Sequence, residues 1–461
     1  MFCVLAAPIV NQNPIPAPLG VLKFIPELLA KNNRPGAVRV LRASLWIALI
    51  ISVMIAGLLY LATPLVIPLL GGSAVLPNFV HLLGFDVVVA IDQVGLAAVI
   101  ALVETNSAAR SIWIWAIARY GLASILLLPL GVVGVLVGWI LGDLTLVFFS
   151  LSKCLRDNYA LSLHSPIPFR SLMSYSGHNL AAALTGFAIS FADRLFTLST
   201  QGLSPLAVYN VAIMATTIAS SASYALVTVM LPALAGLLAA QNLDELHRLV
   251  RLNTRYLSLL VMPIAFGLAA VMDVPLRVFG QAYMSGVGPA VIVCAASGLT
   301  AISAVFASAL IALGKMRWFT TANLLGLVGF LVVTSVLSPK LGLSGPAFGR
   351  ATLMIITTLV YGYVAFRAGV FGFDQKAYLV PIAGSAVMAL LVFTAISMLH
   401  TFPLKLAALP FLMILGILTY LGLLRVSHLI SSENLEFIRD ITPRRVHSYL
   451  PMVAAMLGVR D

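Results

Sequence analysis

Charge is scarce in this sequence. Asp, Glu, Lys and Arg make up 9% of its 461 residues, against 61% hydrophobic, and the mean hydropathy is +1.06. So few charges cannot cover a water-facing shell, and no soluble core needs so much apolar surface; the composition predicts a polytopic membrane protein. Cysteine is nearly missing too. Cys3, Cys154 and Cys294 are dispersed, with neither pairing nor metal-ligand spacing, which excludes a disulfide framework and a zinc module. The seven histidines are equally scattered. A nucleotide-binding glycine loop and a catalytic dyad are absent, so the sequence predicts no enzyme, no cofactor, no metal and no ATP-driven step within the chain. The first thirty residues carry five prolines and lack a basic segment followed by an unbroken apolar core, unlike a signal peptide.

What charge there is leans one way, with a formal net charge of +12. Its placement answers a nucleic-acid reading. Lys31, Arg34, Arg39 and Arg42 precede the first long apolar run; Arg110; Lys153, Arg156 and Arg170; Arg248, Arg251 and Arg255; Lys315 and Arg317; and Arg367 and Lys376 fill alternate loops. Arg425, Arg439, Arg444, Arg445 and Arg460 follow the last run, while the intervening loops hold only Arg277, Lys340 and Lys405. Twenty bases against three orient a membrane protein with the basic face cytoplasmic.

A membrane-crossing helix needs about 20 apolar residues. On that rule the spans fall at 43–62, 80–104, 111–130, 132–151, 173–200, 204–237, 250–272, 286–312, 318–337, 345–366, 377–399 and 403–425. A weak, proline-broken apolar segment precedes them at 1–29. Pro232 and Pro263 inside spans predict kinks. The tail beyond 425 reads as an amphipathic segment on the cytoplasmic headgroups.

The chain repeats itself. Residues 28–71 align on 237–280 at an offset of 209, with Leu28-Leu29-Ala30 on Leu237-Leu238-Ala239, Asn33 on Asn242, Arg39 on Arg248, Arg42 on Arg251 and Gly71 on Gly280. A second block sets Leu130-Gly131, Gly134 and Gly138 on Leu341-Gly342, Gly345 and Gly349, at an offset of 211. A unit of about six helices keeps both copies in one orientation, a parallel repeat. The expected fold is therefore all-α membrane: two six-helix lobes around a central cavity. The N-terminal lobe is expected over 1–151, the C-terminal lobe over 173–366, an extra helix pair over 377–425 and the cytoplasmic tail over 426–461. The offset carries the 173–200 span to before residue 1, so the first lobe is expected to lack its first helix, through a late start or a truncation.

Two consecutive ionisable residues, Asp193-Arg194, sit in the apolar run 173–200. A charge at the centre of a membrane helix costs roughly 2.5–3.5 kcal/mol on insertion scales, which makes the pair a site hypothesis. Gln201-Gly202, a Leu-Ser-Pro turn and Tyr209 follow it. This arrangement resembles the mid-chain signature of the polysaccharide-transporter family, which includes the O-antigen flippases. That family shares a superfamily with the multidrug-and-toxin-extrusion antiporters and the lipid II flippases. The resemblance implies 12 to 14 helices and alternating-access flipping of an undecaprenyl- or dolichyl-linked oligosaccharide to the outer leaflet, by a monomer in the plasma membrane.

Four further ionisable residues weigh on that expectation. Arg119, some 12 Å inside its span at 1.5 Å per residue, is too deep to snorkel with ease. Arg119, Arg194 and Arg350 are candidates for a cavity that binds a lipid pyrophosphate, since a guanidinium fork stays charged and binds phosphate bidentately. The competing reading makes Asp193-Arg194 a packing pair and lets Arg350 snorkel to the outer headgroups. Asp92, Asp143 and Asp193 are candidates for coupling to Na⁺ or H⁺ or for structural pairing; Asp92, mid-span, is the expected partner of Arg119. Asp86 is a further acid in the same lobe. The Gly134/Gly138/Gly142 and Gly345/Gly349 spacings read as helix packing. Two rivals remain: a drug or cation antiporter of the same superfamily, and a membrane glycosyltransferase or polymerase. The second wants a sizeable outer loop, and the longest here, around 273–285, is short.

Overall fold

The computed structural model describes residues 17–69, most of 81–101, 105–156, 185, 188, 189, 192–370 and 375–427. Gly71, nearly all of 157–191 and the expected tail from 428 lie outside the described residues. Among the described residues every element is a helix: α1 Ala17–Ala30, α2 Arg34–Leu69, α3 Asp92–Ala101, α4 Thr105–Arg156, α5 over 192–201, α6 Leu203–Ala239, α7 Leu243–Ala270, α8 Asp273–Phe279, α9 Val287–Ser297, α10 Leu299–Ala312, α11 Met316–Leu341, α12 Ser344–Arg367, α13 Gln375–Ser397 and α14 Phe402–Ser427. A 3₁₀ turn, Gln281–Gly286, joins α8 to α9. Among the described residues seven helices are long and apolar enough to cross a membrane, or eight if 281–312, bent by 42° at Gly298, counts as one span. Many of their large side chains face outward, Leu128 at 89%, Phe411 at 74% and Met413 at 63% exposure. Water would penalise each at about 25 cal/mol per Å² of apolar surface; lipid does not.

The helices overrun the apolar windows, as α2 does on both sides of 43–62, with Arg34, Arg39 and Arg42 in its first turns and the mostly apolar residues 63–69 in its last. The bend of 281–312 falls at Gly298, while Pro232 and Pro263 sit inside α6 and α7. A Cβ on Gly298 would lie 2.7 Å from Met262 Sδ, so the bend is where another helix presses close. The expected outer loop around 273–285 is helical as well. Asp273 in the first turn of α8 and Arg277 in its last suit the helix dipole. Lys405 Nζ bonds Asp273 at 2.6 Å and Arg277 stacks over Phe402, tying α8 to the start of α14.

The chain divides into two compact units. The first comprises Met1–Ala192, Thr228–Leu243 and Ser308–Asn323; the second comprises Asp193–Val227, Asp244–Ala307 and Leu324–Asp461. The division cuts through α6, α10 and α11.

In the first unit α1 packs on α2 and α3, and α3 packs on α4. α4 is a hairpin. Gly131, at φ 59° and ψ −141°, breaks it into two arms, a conformation that costs a residue with a Cβ roughly 1–2 kcal/mol. The arms run antiparallel and nearly touch. A Cβ on Gly134 would lie 2.0 Å from the Leu126 carbonyl oxygen, one on Gly138 2.3 Å from the Ala123 nitrogen, and one on Gly142 2.5 Å from Arg119 Cα. The second unit holds a matching hairpin of α11 and α12, turned at Gly342 with φ 54°, where a Cβ on Gly345 would lie 2.5 Å from Ser338 Cα. Gly131 and Gly342 differ by the 211 of the sequence repeat. The 209 offset recurs as well. Asn32 (φ 55°) and Gln241 (φ 57°) are the non-glycine residues of positive φ among those described, and each closes a helix. Asn33 N–H bonds Leu28 O, and Asn242 N–H bonds Leu237 O, one cap at both places. The rest of the second unit is built on α13 packed against α14, with Tyr420 donating to Leu259 O of α7 at 3.0 Å.

Candidate functional site

Two clusters of buried charge stand out, one in each unit. In the second unit Gly202, at φ 89°, ends α5 and sends the chain back as α6. That turn lays Tyr209 and Asn210 beside the Asp193-Arg194 pair. Consecutive residues on a helix point about 100° apart, so the two charges take different neighbours. Asp193, whose side chain is 1% exposed, accepts a hydrogen bond at Oδ2 from Arg350 Nη1 of α12. Arg194 Nε donates to Asn210 Oδ1 at 2.9 Å, and Asn210 Nδ2 donates in turn to Leu206 O. Asp193 Oδ1 has no hydrogen-bond donor among the described residues and lies 4.0 Å from Arg194 Nη1. Tyr209 is fully buried against Ile213, Val293 and Ala347, and its hydroxyl finds no partner among the described residues. Two guanidinium groups therefore flank one carboxylate, leaving a net positive charge, and both keep some access, with 14% and 20% of the side chain exposed.

In the first unit the hairpin of α4 brings Arg119 on one arm to Asp143 on the other. Arg119 Nη1 donates to Asp143 Oδ1 at 2.5 Å, and Trp115 Nε1 donates to the same oxygen at 2.7 Å. The guanidinium lies between two indoles, 5.3 Å from the Trp115 ring and 5.2 Å from that of Trp139. Its side chain is only 8% exposed. The acid that neutralises Arg119 is thus Asp143, not Asp92 as expected, because the hairpin makes residues 24 apart face each other. Asp92 accepts at Oδ2 from Gln93, while its Oδ1 and that of Asp86 are buried with no donor among the described residues. Three buried acids thus answer one buried base. Among the described residues no group of three His, Cys, Asp or Glu converges as a metal site.

The sequence reading missed Asn210 and the two indoles. The repeat held a signal for one of them. At the offset of 211, Trp139 corresponds to Arg350, and Arg119 and Asp143 correspond to Phe330 and Met354. Each hairpin buries one guanidinium, on opposite arms, and each has its own acid: Asp143 within the hairpin, and Asp193 from outside it.

The chain matches, over residues 36–287, the family described as polysaccharide biosynthesis protein. No curated protein matches it. Among solved structures it is similar to the Vibrio cholerae MATE transporter VcmN in the bent form, at 16% identity and a TM-score of 0.64, covering 79% of this chain and 86% of that one. It is also similar to a MOP superfamily transporter from Pyrococcus furiosus, at 14% identity and a TM-score of 0.67, covering 81% of this chain and 88% of that one. Likeness at such low identity fixes the fold, an all-helical membrane fold.

Proposed function

The chain belongs to the polysaccharide biosynthesis protein family, and we propose that it is a multi-pass membrane transporter of the superfamily that includes the MATE proteins, with a lipid-linked oligosaccharide as its cargo. On this reading it flips the headgroup across the bilayer by alternating access, as a monomer of the plasma membrane with its basic loops in the cytoplasm. The observation that carries it is the pair of partly accessible guanidinium groups, Arg194 and Arg350, flanking buried Asp193. A pyrophosphate is anionic, and a polyprenyl tail stays in lipid, so the protein has to stabilise the headgroup alone. Fork-shaped donors bind phosphate bidentately, and a low-dielectric surround strengthens them far beyond their value in water. Arg119, committed to Asp143 and two indoles, serves less as a phosphate ligand than as part of the coupling machinery. There, one base against Asp86, Asp92 and Asp143 leaves a deficit of positive charge that H⁺ or Na⁺ would fill.

That same deficit favours a second reading, a drug or cation antiporter. The two separate on substrate charge. Purified protein in vesicles should bind and move a fluorescent polyprenyl-pyrophosphate sugar, and Arg350→Ala should abolish that. Export of organic cations with no effect on the anionic lipid would establish the antiporter instead.

A further inference from the structure

A cleft of about 430 Å³ opens in the first unit where three helices end: α1, the last turns of α6, and α10. One wall is charged. Lys23, Glu27 and Lys31 stand four residues apart along a single face of α1, with Lys31 Nζ bonded to Glu27 at 3.0 Å. The other walls are mostly apolar and small, formed by Ala235, Leu238, Ala239, Ala312 and Leu313, with the amide of Gln241 at the end of α6. α10 stops against Lys23, since a Cβ on Gly314 would lie 2.9 Å from its Nζ. The charged face is not inherited from the repeat. At the offset of 209 Lys23, Glu27 and Lys31 correspond to Pro232, Gly236 and Ala240. Arg34, Arg39 and Arg42 lie in the first turns of α2, Lys315 in the turn after α10 and Arg317 in the first turn of α11, while α7, which follows α6, opens with Asp244 and Glu245. A cationic wall, an apolar wall and a basic rim at the ends of membrane helices match an amphiphile with an anionic head.

We propose that this cleft binds the phosphodiester headgroup of an anionic phospholipid, with Lys23 and Lys31 on the phosphate and the glycerol backbone along Leu238, Ala239 and Leu313. Glu27 competes with the phosphate for Lys31 and sets the affinity. The site is independent of the transported cargo. Native mass spectrometry of the purified full chain tests it, titrating dioleoyl phosphatidylglycerol against dioleoyl phosphatidylcholine, with inorganic phosphate as a competitor. One phosphatidylglycerol should bind more tightly than the rest, weakened roughly fivefold by Lys23→Gln and thirtyfold by Lys23→Gln with Lys31→Gln, from about 1 kcal/mol per basic side chain at an anionic headgroup. Glu27→Gln should tighten it, and Ala239→Phe, which fills the cleft, should remove it. If phosphatidylcholine binds equally well, or the double variant keeps full affinity and merely melts earlier, the lysines are helix-end caps and the proposal fails. Displacement of the lipid by millimolar phosphate would make the site one for a free anion and overturn the lipid assignment.

Discussion

Asp143→Ala is the most informative single change in the first unit. It removes the acceptor shared by Arg119 and Trp115, leaving a guanidinium 8% exposed and an indole N–H with no acceptor. Breaking a buried pair from one side costs about 3–5 kcal/mol, because an uncompensated charge remains. The stranded indole donor places this case at the upper end, since an unsatisfied buried donor costs about 1–3 kcal/mol on its own. Arg119→Met leaves Asp143 still bonded to Trp115, so its cost should be nearer 3 kcal/mol. The double variant, Arg119→Met with Asp143→Leu, removes both charges at similar volume but still strands the Trp115 N–H, so it should lose about 1–3 kcal/mol. The coupling energy is then at least about 5 kcal/mol. Reversible unfolding in mixed micelles, followed by tryptophan fluorescence, measures all four corners of the cycle. A coupling energy under about 1 kcal/mol would mean that Arg119 already reaches water or lipid phosphate, and the buried-pair argument would fall.

Gly138→Ala forces a methyl to within 2.3 Å of backbone in the facing arm, so it should abolish folded protein in the membrane, while Gly422→Ala, with nothing within 4 Å, should leave abundance unchanged. Gly131→Ala meets open space but a left-handed backbone, and thermal melting should register a loss of about 1–2 kcal/mol. Arg194→Ala should reduce flipping in vesicles and Arg350→Ala should abolish it, each read per molecule of reconstituted protein, since loss of Arg350 also strands the buried Asp193 carboxylate. Lys at either position should restore part of it, since it keeps the charge and loses the fork. Asp92→Asn should leave headgroup binding intact while altering the dependence of transport on a proton or sodium gradient; unchanged dependence would remove Asp92 from the coupling role.

The helical membrane class and the turn glycines were legible because each rests on a local constraint. Twenty apolar residues have one way to satisfy their backbone in lipid, and a left-handed turn wants glycine at 131 and at 342. The packing reading of Gly134, Gly138 and Gly142 was legible for the same reason, since small residues four apart leave a groove. Partner choice was not. Asp92 and Asp143 are both single acids in apolar runs, and only the register of the hairpin decides which of them meets Arg119. Periodicity within one helix carries no information about that register. Asn210 was invisible for a related reason: its tie to Arg194 depends on how tightly the chain reverses at Gly202. The start of α2 was missed because its first turns are polar and hydropathy sees only the hydrocarbon portion of a helix, and the helix at Asp273–Phe279 because seven residues are too few for a membrane-length window.

The most direct measurement reconstitutes the purified chain in vesicles with a fluorescent polyprenyl-pyrophosphate oligosaccharide in one leaflet, and follows accessibility of the sugar to a membrane-impermeant quencher outside. Lipid-linked oligosaccharide as cargo predicts translocation well above that of protein-free vesicles, lost in the Arg194→Ala/Arg350→Ala double variant and partly restored by Lys. Wild-type vesicles no faster than empty ones, under either a proton or a sodium gradient, while the same preparation exchanges an organic cation for H⁺ or Na⁺, would contradict it.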